Sequence, residues 1–515
     1  TAADAAVAVQ MMLNLVEPQS SGIGGGAFML YWDNQNKKLH TFDGRETAPL
    51  LATPEYFLKE DGTAKGWWES VIGGRSVGVP GTLRLLETVH QRFGNRAWAS
   101  LLFPTIDLAQ EGFVISPRLA SSIAAHNTET RQLAKFANTQ RYFFNADGSP
   151  KVAGTRLKNP EFADTLRSIA AGGADAFYQG EIAADIVAAV RADLDNPGIL
   201  QQRDFSDYQV IERAPVCIDY RRYNVCGMGP PTSGGLTVGQ ILGMLSHYDL
   251  PKLGNSVESA HLFAEAARLA YADRGLYMAD SDFVTVPVGL LDKRYLAQRA
   301  EQINPQRAAG KVEAGLPPPL VAQAFAAGET LNRPGTSHFV IVDQYGNIVS
   351  MTTTIETGFG SRLMVRGFLL NNELTDFSRT PKKDNFWVAN RVESGKRPRS
   401  SMSPTIVFRN QRPVLAVGSP GGSRIINYVA RAIIGVLDWK MTPQEAIDMG
   451  HVVNRNGDTD VEKGTAAAAW AQQLTALGHK VNENTLTSGL HAIELSRKGL
   501  QGGADKRREG VVLGD

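Results

Sequence analysis

The chain has 515 residues, with 53 Lys and Arg against 52 Asp and Glu, so its formal net charge is +1. A hydrophobic fraction of 43% and a charged fraction of 20% are typical of a folded globular protein and exclude a disordered or fibrous one. The balanced charge argues against nucleic-acid binding by phosphate neutralisation, and the apolar stretch near the start is too short to predict a membrane span.

The cysteines and histidines exclude the common metal sites. Cys217 and Cys226 are too few for a four-ligand zinc site, and the nine histidines form no HExxH pair, so we expect no metal. The two cysteines bracket a predicted strand pair, where two free thiols are the ordinary expectation and a disulfide is the alternative. The glycines at 22–26 follow a helix and precede a strand, whereas a dinucleotide fingerprint needs the opposite order.

The first half of the chain is predicted to be mainly helical. Thr1 and Asp4 form a capping signal for a helix over 2–16, and two strands follow at 27–32 and 39–42. Because residue 1 falls inside an element, we expect a leader and a first strand to be missing. Further helical patterns and one strand pair come next, the helices at 80–93, 97–111, 116–135, 160–173, 180–195 and 256–278, and the strand pair within 215–231.

Residues 311–335 are the sharpest change in composition, because they are polar and rich in proline and glycine. The ordinary interpretation is a surface linker between two domains, and the alternative is a segment released by cleavage. The remainder is β-rich and then helical, with strands at 337–342, 348–354, 367–370, 405–408 and 414–417, and helices at 424–438, 443–449 and 466–478.

The first of these strands opens a predicted hairpin. If residues 344–346 form a three-residue loop with Gly346 in the left-handed conformation, the register places Thr336 opposite Thr354. Two hydroxyl groups would then meet at the open end of the hairpin, beside the polar segment. Threonine is common in strands, so this pattern alone does not predict a catalytic site.

A glycine turn precedes the helix predicted at 424–438. Gly421 and Gly422 lie where the N–H groups of a helix start have no partner within the helix, which is the chemistry of an oxyanion hole. The alternative is an ordinary helix entry with Ser423 as its N-cap.

Ordered motifs along nearly the whole chain resemble those of the gamma-glutamyltransferases, a family of N-terminal-nucleophile hydrolases. They include SGIGGGAFM, FDGRETAP, MGPPTSGG, AEAARLAYADR, GTSHF, LLNNELTDFS, KRPRSSMSPTIV, GSPGGSRII and GADKRREG. The resemblance implies an α+β fold, namely a four-layer αββα sandwich whose sheets are shared by two subunits made by autocleavage. The cut would fall between Gly335 and Thr336, giving a large subunit 1–335 and a small subunit 336–515.

The resemblance also implies the roles of the catalytic groups. Thr336 would be the nucleophile, and its freed α-amine, with an unperturbed pKa of about 8, would be the general base. Thr354 would orient the Thr336 hydroxyl, and Gly421 and Gly422 would hold the oxyanion.

Six further residues match positions that bind the donor's amino-acid end. They are Arg45, Ser400 and Ser401 for the α-carboxylate, Asp376 and Glu373 for the α-ammonium, and Glu356, which stands where many members carry Asn. A guanidinium suits a planar carboxylate, and a carboxylate suits an ammonium.

The activity that this resemblance implies is transfer of a γ-glutamyl group from glutathione or related donors to an amino acid, a peptide or water. The route would be ping-pong through an ester on Thr336, without a cofactor, a nucleic-acid partner or a membrane span. A periplasmic or secreted location is expected on the same ground. The alternatives are a cephalosporin or glutaryl acylase of the same skeleton and an unprocessed homologue that only binds ligands.

Overall fold

The computed structural model describes residues 1–319, 325–328 and 335–514. Its helices are α1 Ala2–Val16, α2 Trp67–Val71, α3 Thr82–Phe93, α4 Trp98–Glu111, α5 Pro117–His126, α6 Ala137–Phe143, α7 Pro160–Gly172, α8 Asp175–Tyr178, α9 Glu181–Ala192, α10 Gln202–Ser206, α11 Gly234–Leu245, α12 Leu250–Leu253, α13 Val257–Tyr277, α14 Lys293–Ala300, α15 Ile425–Leu437, α16 Pro443–Asp448 and α17 Ala471–Ala476. Over the described ranges, no helix combines the length and apolarity needed to cross a bilayer.

The strands follow the same chain order. They are β1 Gly26–Asp33, β2 Lys38–Gly44, β3 Phe113–Val114, β4 Arg156–Leu157, β5 Ile211–Arg213, β6 Val216–Tyr220, β7 Tyr223–Gly227, β8 Phe325–Ala326, β9 Thr336–Val342, β10 Ile348–Thr354, β11 Met364–Val365, β12 Phe368–Leu369, β13 Lys382–Lys383, β14 Phe386–Val388, β15 Thr405–Arg409, β16 Arg412–Gly418, β17 Val452–Asn454, β18 Thr459–Glu462, β19 Val481–Asn484, β20 His491–Ser496 and β21 Gly499–Ala504.

Two large sheets form the centre of the molecule. The first has the order β5-β2-β1-β10-β9, and the second has the order β21-β20-β16-β15-β7-β6. Each sheet therefore combines strands that precede Thr336 in sequence with strands that follow it. The segment 311–335 consequently does not connect two separate domains, and the linker interpretation is wrong. Residues 320–324 and 329–334 of this segment lie outside the described residues.

The alternation of side chains along β1 explains how the sheets stack. Met29 and Tyr31 pack in one core with helices such as α1 and α3, whereas Phe28, Leu30 and Trp32 pack in a second core with the other sheet and α11, α13 and α15. Because successive side chains of a strand point to opposite faces, a strand with both faces buried must be covered by a layer on each side. The layers are helices, sheet, sheet and helices, which confirms the αββα sandwich.

Most predicted elements are present, and two predictions need correction. The helix predicted over 116–135 ends at His126, and α6 begins after a stretch of turns. The cysteines form a Cys217–Cys226 disulfide rather than two free thiols. The reason is register: the two residues lie directly opposite each other on β6 and β7, which places their side chains on the same face of the sheet.

Candidate active site

The predicted pair of threonines is present at the open end of the hairpin. Thr336 begins β9, Thr354 ends β10, and the two residues are register partners. The loop has Gly346 at a φ of 79°, as the three-residue turn requires. The Oγ1 atoms of the two threonines lie 3.1 Å apart, and both side chains are buried. The hairpin register thus brings two hydroxyl groups into hydrogen-bonding contact.

The other hydrogen bonds of Thr354 determine which of the two threonine hydroxyls donates to the other. Thr354 Oγ1 donates to the carbonyl oxygen of Gly335 over 2.9 Å and accepts from the backbone N–H of Glu356, also over 2.9 Å. A hydroxyl has one proton to give, so the Thr336 hydroxyl is the donor in the bond between the threonines. One hydroxyl, that of Thr354, thus contacts both Thr336 Oγ1 and the carbonyl oxygen of Gly335. Arg508 Nη1 holds the carbonyl oxygen of Thr336 itself at 2.9 Å.

Gly335 lies against a neighbouring turn that leaves no space for a side chain. A Cβ atom at this position would be 2.4 Å from the carbonyl oxygen of Glu356 and 2.6 Å from the nitrogen of Gly358. Only glycine therefore allows the backbone of β9 to begin so close to the turn that follows β10.

The threonine pair faces a cleft of about 50 Å³, and most of the predicted site residues line it. The predicted residues in its wall are Thr336, Thr354, Gly422, Arg45, Glu356, Glu373, Asp376, Ser400 and Ser401. Gly421 does not line the cleft but immediately precedes Gly422. The ends of β9 and β10 meet loops that flank strands of both large sheets here, so one cleft holds a nucleophile candidate and charged groups of both signs.

Arg45 is the central cation of this cleft and is fully buried just beyond β2. Its guanidinium forms an ion pair with Glu373 and another, at 2.5 Å, with Asp376. Its Nε also donates to the carbonyl oxygen of Pro398 over 3.1 Å. Although burial alone would lower the pKa of Arg45, the carboxylates of Glu373 and Asp376 raise it, so the guanidinium stays charged.

The serine pair lies beside two arginines, Arg274 and Arg399, for which no site role was predicted. Arg274 donates to Ser401 Oγ over 2.7 Å, and Ser400 Oγ accepts from the backbone N–H of Met402. Arg399 and Arg274 both line the cleft and are almost fully buried. Burial lowers the pKa of both, but each still faces the negative charge of Asp376.

A signal for these arginines was available in the sequence. Arg274 ends the AEAARLAYADR motif on the long helix α13, and Arg399 lies immediately before the serine pair. The proximity of Arg399 to Ser400 could have indicated a second cation in the cleft. No local pattern, however, predicts that the end of α13 lies against the same loop, because that contact is purely tertiary.

Glu356 and the glycine turn complete the wall around the threonines. Glu356 has a φ of 76° and accepts a hydrogen bond over 2.7 Å from the side chain of Asn372. Gly421 and Gly422 have φ angles of 139° and 61°, and a short 3₁₀ turn over Gly422–Arg424 leads into α15. Both conformations favour glycine, and they turn the backbone at the start of a thirteen-residue helix.

No cluster of three or more potential metal ligands occurs in the part of the chain that the structure describes. The cleft instead offers hydroxyl groups, guanidinium groups and carboxylates, which suit an acyl donor with a charged end.

A threonine at the head of a buried strand, within an αββα sandwich, places the protein among the N-terminal-nucleophile hydrolase folds. The crystal structure of cephalosporin acylase from Bacillus halodurans superposes with a TM-score of 0.86 at 28% identity, covering 99% of this chain and 91% of that one. The sequence profile described as Gamma-glutamyltranspeptidase matches residues 1–515. The chain therefore belongs to the gamma-glutamyltranspeptidase family.

Two similar proteins carry the names of different enzymes. The chain is 36% identical over 526 residues to the "Glutathione hydrolase proenzyme" of Bacillus subtilis, covering 100% of this chain and 87% of that protein. It is 33% identical over 523 residues to the "Acylase ACY 1 proenzyme" of a Pseudomonas species, covering 99% of this chain and 89% of that protein.

Proposed function

We propose that this protein transfers γ-glutamyl groups from glutathione and related donors to amino acids, peptides or water. The observation that carries the proposal is the 3.1 Å contact between Thr336 and Thr354 in a cleft that also holds Arg45 and Asp376. The threonines supply a nucleophile and its orienting partner. The guanidinium and the carboxylate suit the two charged groups of an α-amino acid.

In this proposal, the hydroxyl of Thr336 cuts the chain itself before the protein acts on a donor. Thr336 Oγ1 attacks the carbonyl carbon of Gly335, whose oxygen already accepts a hydrogen bond from Thr354. The C–N bond breaks, the amine takes up the proton of the hydroxyl, and the Gly335 acyl group passes to Oγ1 as an ester. Water then hydrolyses this ester, which leaves subunits 1–335 and 336–515 and a free α-amine on Thr336.

Turnover follows a ping-pong course. The neutral α-amine of Thr336 accepts the Oγ1 proton while the oxygen attacks the γ-carbonyl carbon of the donor. Backbone N–H groups at Gly421 and Gly422 stabilise the oxyanion, and the leaving amine departs with the proton. An amino acid, a peptide or water then takes the γ-glutamyl group from the ester. Ser400, Ser401 and Arg45 hold the donor α-carboxylate, and Asp376 holds its ammonium.

Mass spectrometry of the purified protein tests this function. We expect two chains, of about two-thirds and one-third of the 55.7 kDa total, with Thr336 as the new N-terminus. Brief exposure to a γ-glutamyl substrate at low pH should add one γ-glutamyl group to the smaller chain. A single uncut chain that hydrolyses no γ-glutamyl donor would support the non-catalytic binding homologue instead.

An acylase acting on glutaryl or cephalosporin side chains is the second candidate. The contact between Asp376 and Arg45 favours it, because a carboxylate already paired with a guanidinium is less available to an ammonium. The similarity to the cephalosporin acylase of Bacillus halodurans points the same way. Direct comparison of γ-glutamyl and glutaryl substrates separates the two candidates.

The periplasmic or secreted location is also part of the proposal. It comes from the family resemblance, and the Cys217–Cys226 disulfide supports it, because disulfides persist mainly in oxidising compartments.

Substitution of Gly421 by alanine tests the oxyanion role. The added Cβ would meet the ring of Tyr428 at 2.6 Å and would require a φ of 139° that alanine disfavours, so the turn must shift its N–H groups. We expect kcat to fall about a hundredfold, the usual effect of losing one oxyanion donor, with little change in KM. Steady-state kinetics provide the measurement.

The matched control is Gly254→Ala. Gly254 also has a positive φ, of 62°, but an added Cβ there meets nothing within 4 Å. This variant should keep the parental kcat. A Gly421→Ala protein with intact kcat and weakened donor binding would contradict the oxyanion assignment.

A further inference from the structure

Behind Arg45, three carboxyl groups surround one guanidinium, and we call these four residues the Arg45 cluster. Glu373 and Asp376 form ion pairs with Arg45, and Glu46 Oε2 lies 3.7 Å from its Nη1. The side chains of Arg45, Glu46 and Glu373 are no more than 1% exposed. Arg274 and Arg399 also face Asp376, which is partly exposed, whereas Arg45 is the cation that faces both Glu46 and Glu373. If Glu46 and Glu373 were both ionised, one buried negative charge would remain uncompensated, which a low-dielectric site strongly disfavours. The cluster must therefore hold at least one proton.

Glu46 is the group that holds this proton. Neither of its side-chain oxygens accepts a well-formed hydrogen bond from any of the residues that the structure describes. The backbone of Gly26 closes one side so tightly that a Cβ there would lie 2.2 Å from Glu46 Oε2. A carboxylate stays ionised in a buried site only when N–H donors or a cation compensate it, and Arg45 is nearer to the other two carboxylates. Burial and the neighbouring Glu373 raise the pKa of Glu46 well above its usual range.

A zwitterionic donor end adds no net charge to the cleft, but it changes which charged groups lie next to Glu373. An α-amino acid end brings one carboxylate for Arg45 and one ammonium for Asp376. Once the donor carboxylate binds Arg45, an ionised Glu373 would share that guanidinium with a second carboxylate and would be repelled by it. This repulsion favours a neutral Glu373 as well as a neutral Glu46, and the second oxygen of Glu373 accepts no hydrogen bond from an N–H or hydroxyl donor in the described chain, so it is open to protonation.

We propose that Glu46 and Glu373 act as a proton-holding pair behind Arg45, and that a donor's α-carboxylate binds Arg45 only with uptake of a proton by Glu373. This inference rests on the proposed function. It makes Glu46 and Glu373 positioning residues, which act by controlling whether the Arg45 guanidinium is available to the donor.

The sign of the resulting pH dependence follows from the groups around the pair. Arg45 and Asp376 face Glu373, while the phenols of Tyr178 and Tyr208 lie on the side of Glu46. Arg274 and Arg399, which line the same cleft, face Asp376. Burial raises the pKa of Glu373 to about 7, and Arg45 opposes that rise. Below that pH Glu373 is neutral and Arg45 can bind the donor; above it, Glu373 is ionised, occupies Arg45 and repels the donor carboxylate.

The first test is the pH dependence of KM for a γ-glutamyl-anilide between pH 6 and 8.5. The parent should show KM constant below pH 7 and rising by about tenfold per pH unit above it, the slope expected for one coupled proton. Glu373→Gln should give a KM that changes less than about threefold over the same range. Titration of the Thr336 α-amine and of the substrate ammonium is common to both proteins and cancels in this comparison.

Glu46→Gln distinguishes a neutral Glu46 from an ionised one. Glutamine has the shape of the protonated acid, so the midpoint of the KM profile should stay within about half a pH unit of the parent. If Glu46 were ionised, removal of a buried negative charge next to Glu373 would lower that midpoint by more than one unit. A downward shift of that size would overturn the assignment of the proton to Glu46.

Calorimetry with L-norvaline measures proton uptake directly. This ligand has the α-carboxylate and the α-ammonium but no γ-carbonyl, so it binds without reaction. Titrations in buffers of different ionisation enthalpy should give close to one proton taken up per norvaline at pH 8, about none at pH 6, and none at either pH with Glu373→Gln. Butylamine, which lacks the carboxylate, should cause no uptake.

The outcomes separate this inference from the proposed function. If the protein turns over γ-glutamyl-anilide with a KM independent of pH, the inference is wrong and the function stands. If γ-glutamyl-anilide is not turned over but norvaline binds with proton uptake, the function is wrong and the proton-holding pair stands. Absence of norvaline binding at both pH values, or binding without proton uptake at pH 8, overturns the inference.

Discussion

Thr336→Ala is expected to give a single uncut chain of 55.7 kDa without hydrolytic activity. The reason is that one oxygen serves both reactions: Oγ1 attacks the Gly335 carbonyl during maturation and the donor carbonyl during turnover. Loss of the nucleophile should lower turnover by at least about a thousandfold, to the limit of detection. Denaturing electrophoresis and release of aniline from a γ-glutamyl-anilide provide the two measurements.

Two variants serve as controls for this result. Thr336→Ser keeps both the hydroxyl and the amine, so it should be cut and should turn over substrate. Ser337→Ala removes the neighbouring hydroxyl, which points away from Thr354 and donates to Glu17 over 2.7 Å. This variant should mature like the parent protein. Complete cleavage of Thr336→Ala at Gly335 would show that another group is the nucleophile and would refute the assignment.

The contact between the threonines could be predicted from the sequence because it is local. A three-residue loop ending in Gly346 fixes the register of β9 and β10, and the register fixes which residues are opposite each other. The same short-range logic predicted the helix entry after Gly422. These features depend on neighbours within about twenty residues, where turn chemistry and side-chain alternation determine geometry.

The charge arrangement of the cleft could not be predicted in this way. Arg45 and Asp376 are 331 residues apart in sequence, and the family resemblance assigned them to opposite ends of a substrate. In the structure they bind each other. Local patterns also gave no indication that Glu46 lies beside Glu373. The sequence GRETAP, which contains Glu46, predicts only a loop after a strand. Contacts between side chains of loops that are distant in sequence depend on how the two sheets stack. The hydrophobic periodicity of a single strand or helix does not determine that stacking.

The choice between a γ-glutamyl and a glutaryl donor depends on Asp376. A glutaryl group lacks the ammonium, so Asp376 would lose a charge-assisted hydrogen bond of about 1.5–3 kcal/mol. The side chain of Asp376 is 31% exposed and already contacts Arg45, so the higher cost of an unpaired buried charge does not apply. We therefore expect kcat/KM for γ-glutamyl-anilide to exceed that for glutaryl-anilide by about ten- to a hundredfold in the parent protein.

Two substitutions show whether that preference comes from the assigned groups. Asp376→Asn removes the partner of the ammonium, and it should narrow the preference mainly by lowering kcat/KM for the γ-glutamyl substrate. Arg45→Ala removes the carboxylate partner that both substrates need, so both should lose at least about a hundredfold while their ratio changes little. The measurement is kcat/KM for both anilides with all three proteins at pH 6.5. If the parent handles both anilides equally, or if Asp376→Asn leaves the ratio unchanged, Asp376 does not bind an ammonium, and the acylase becomes the better-supported function.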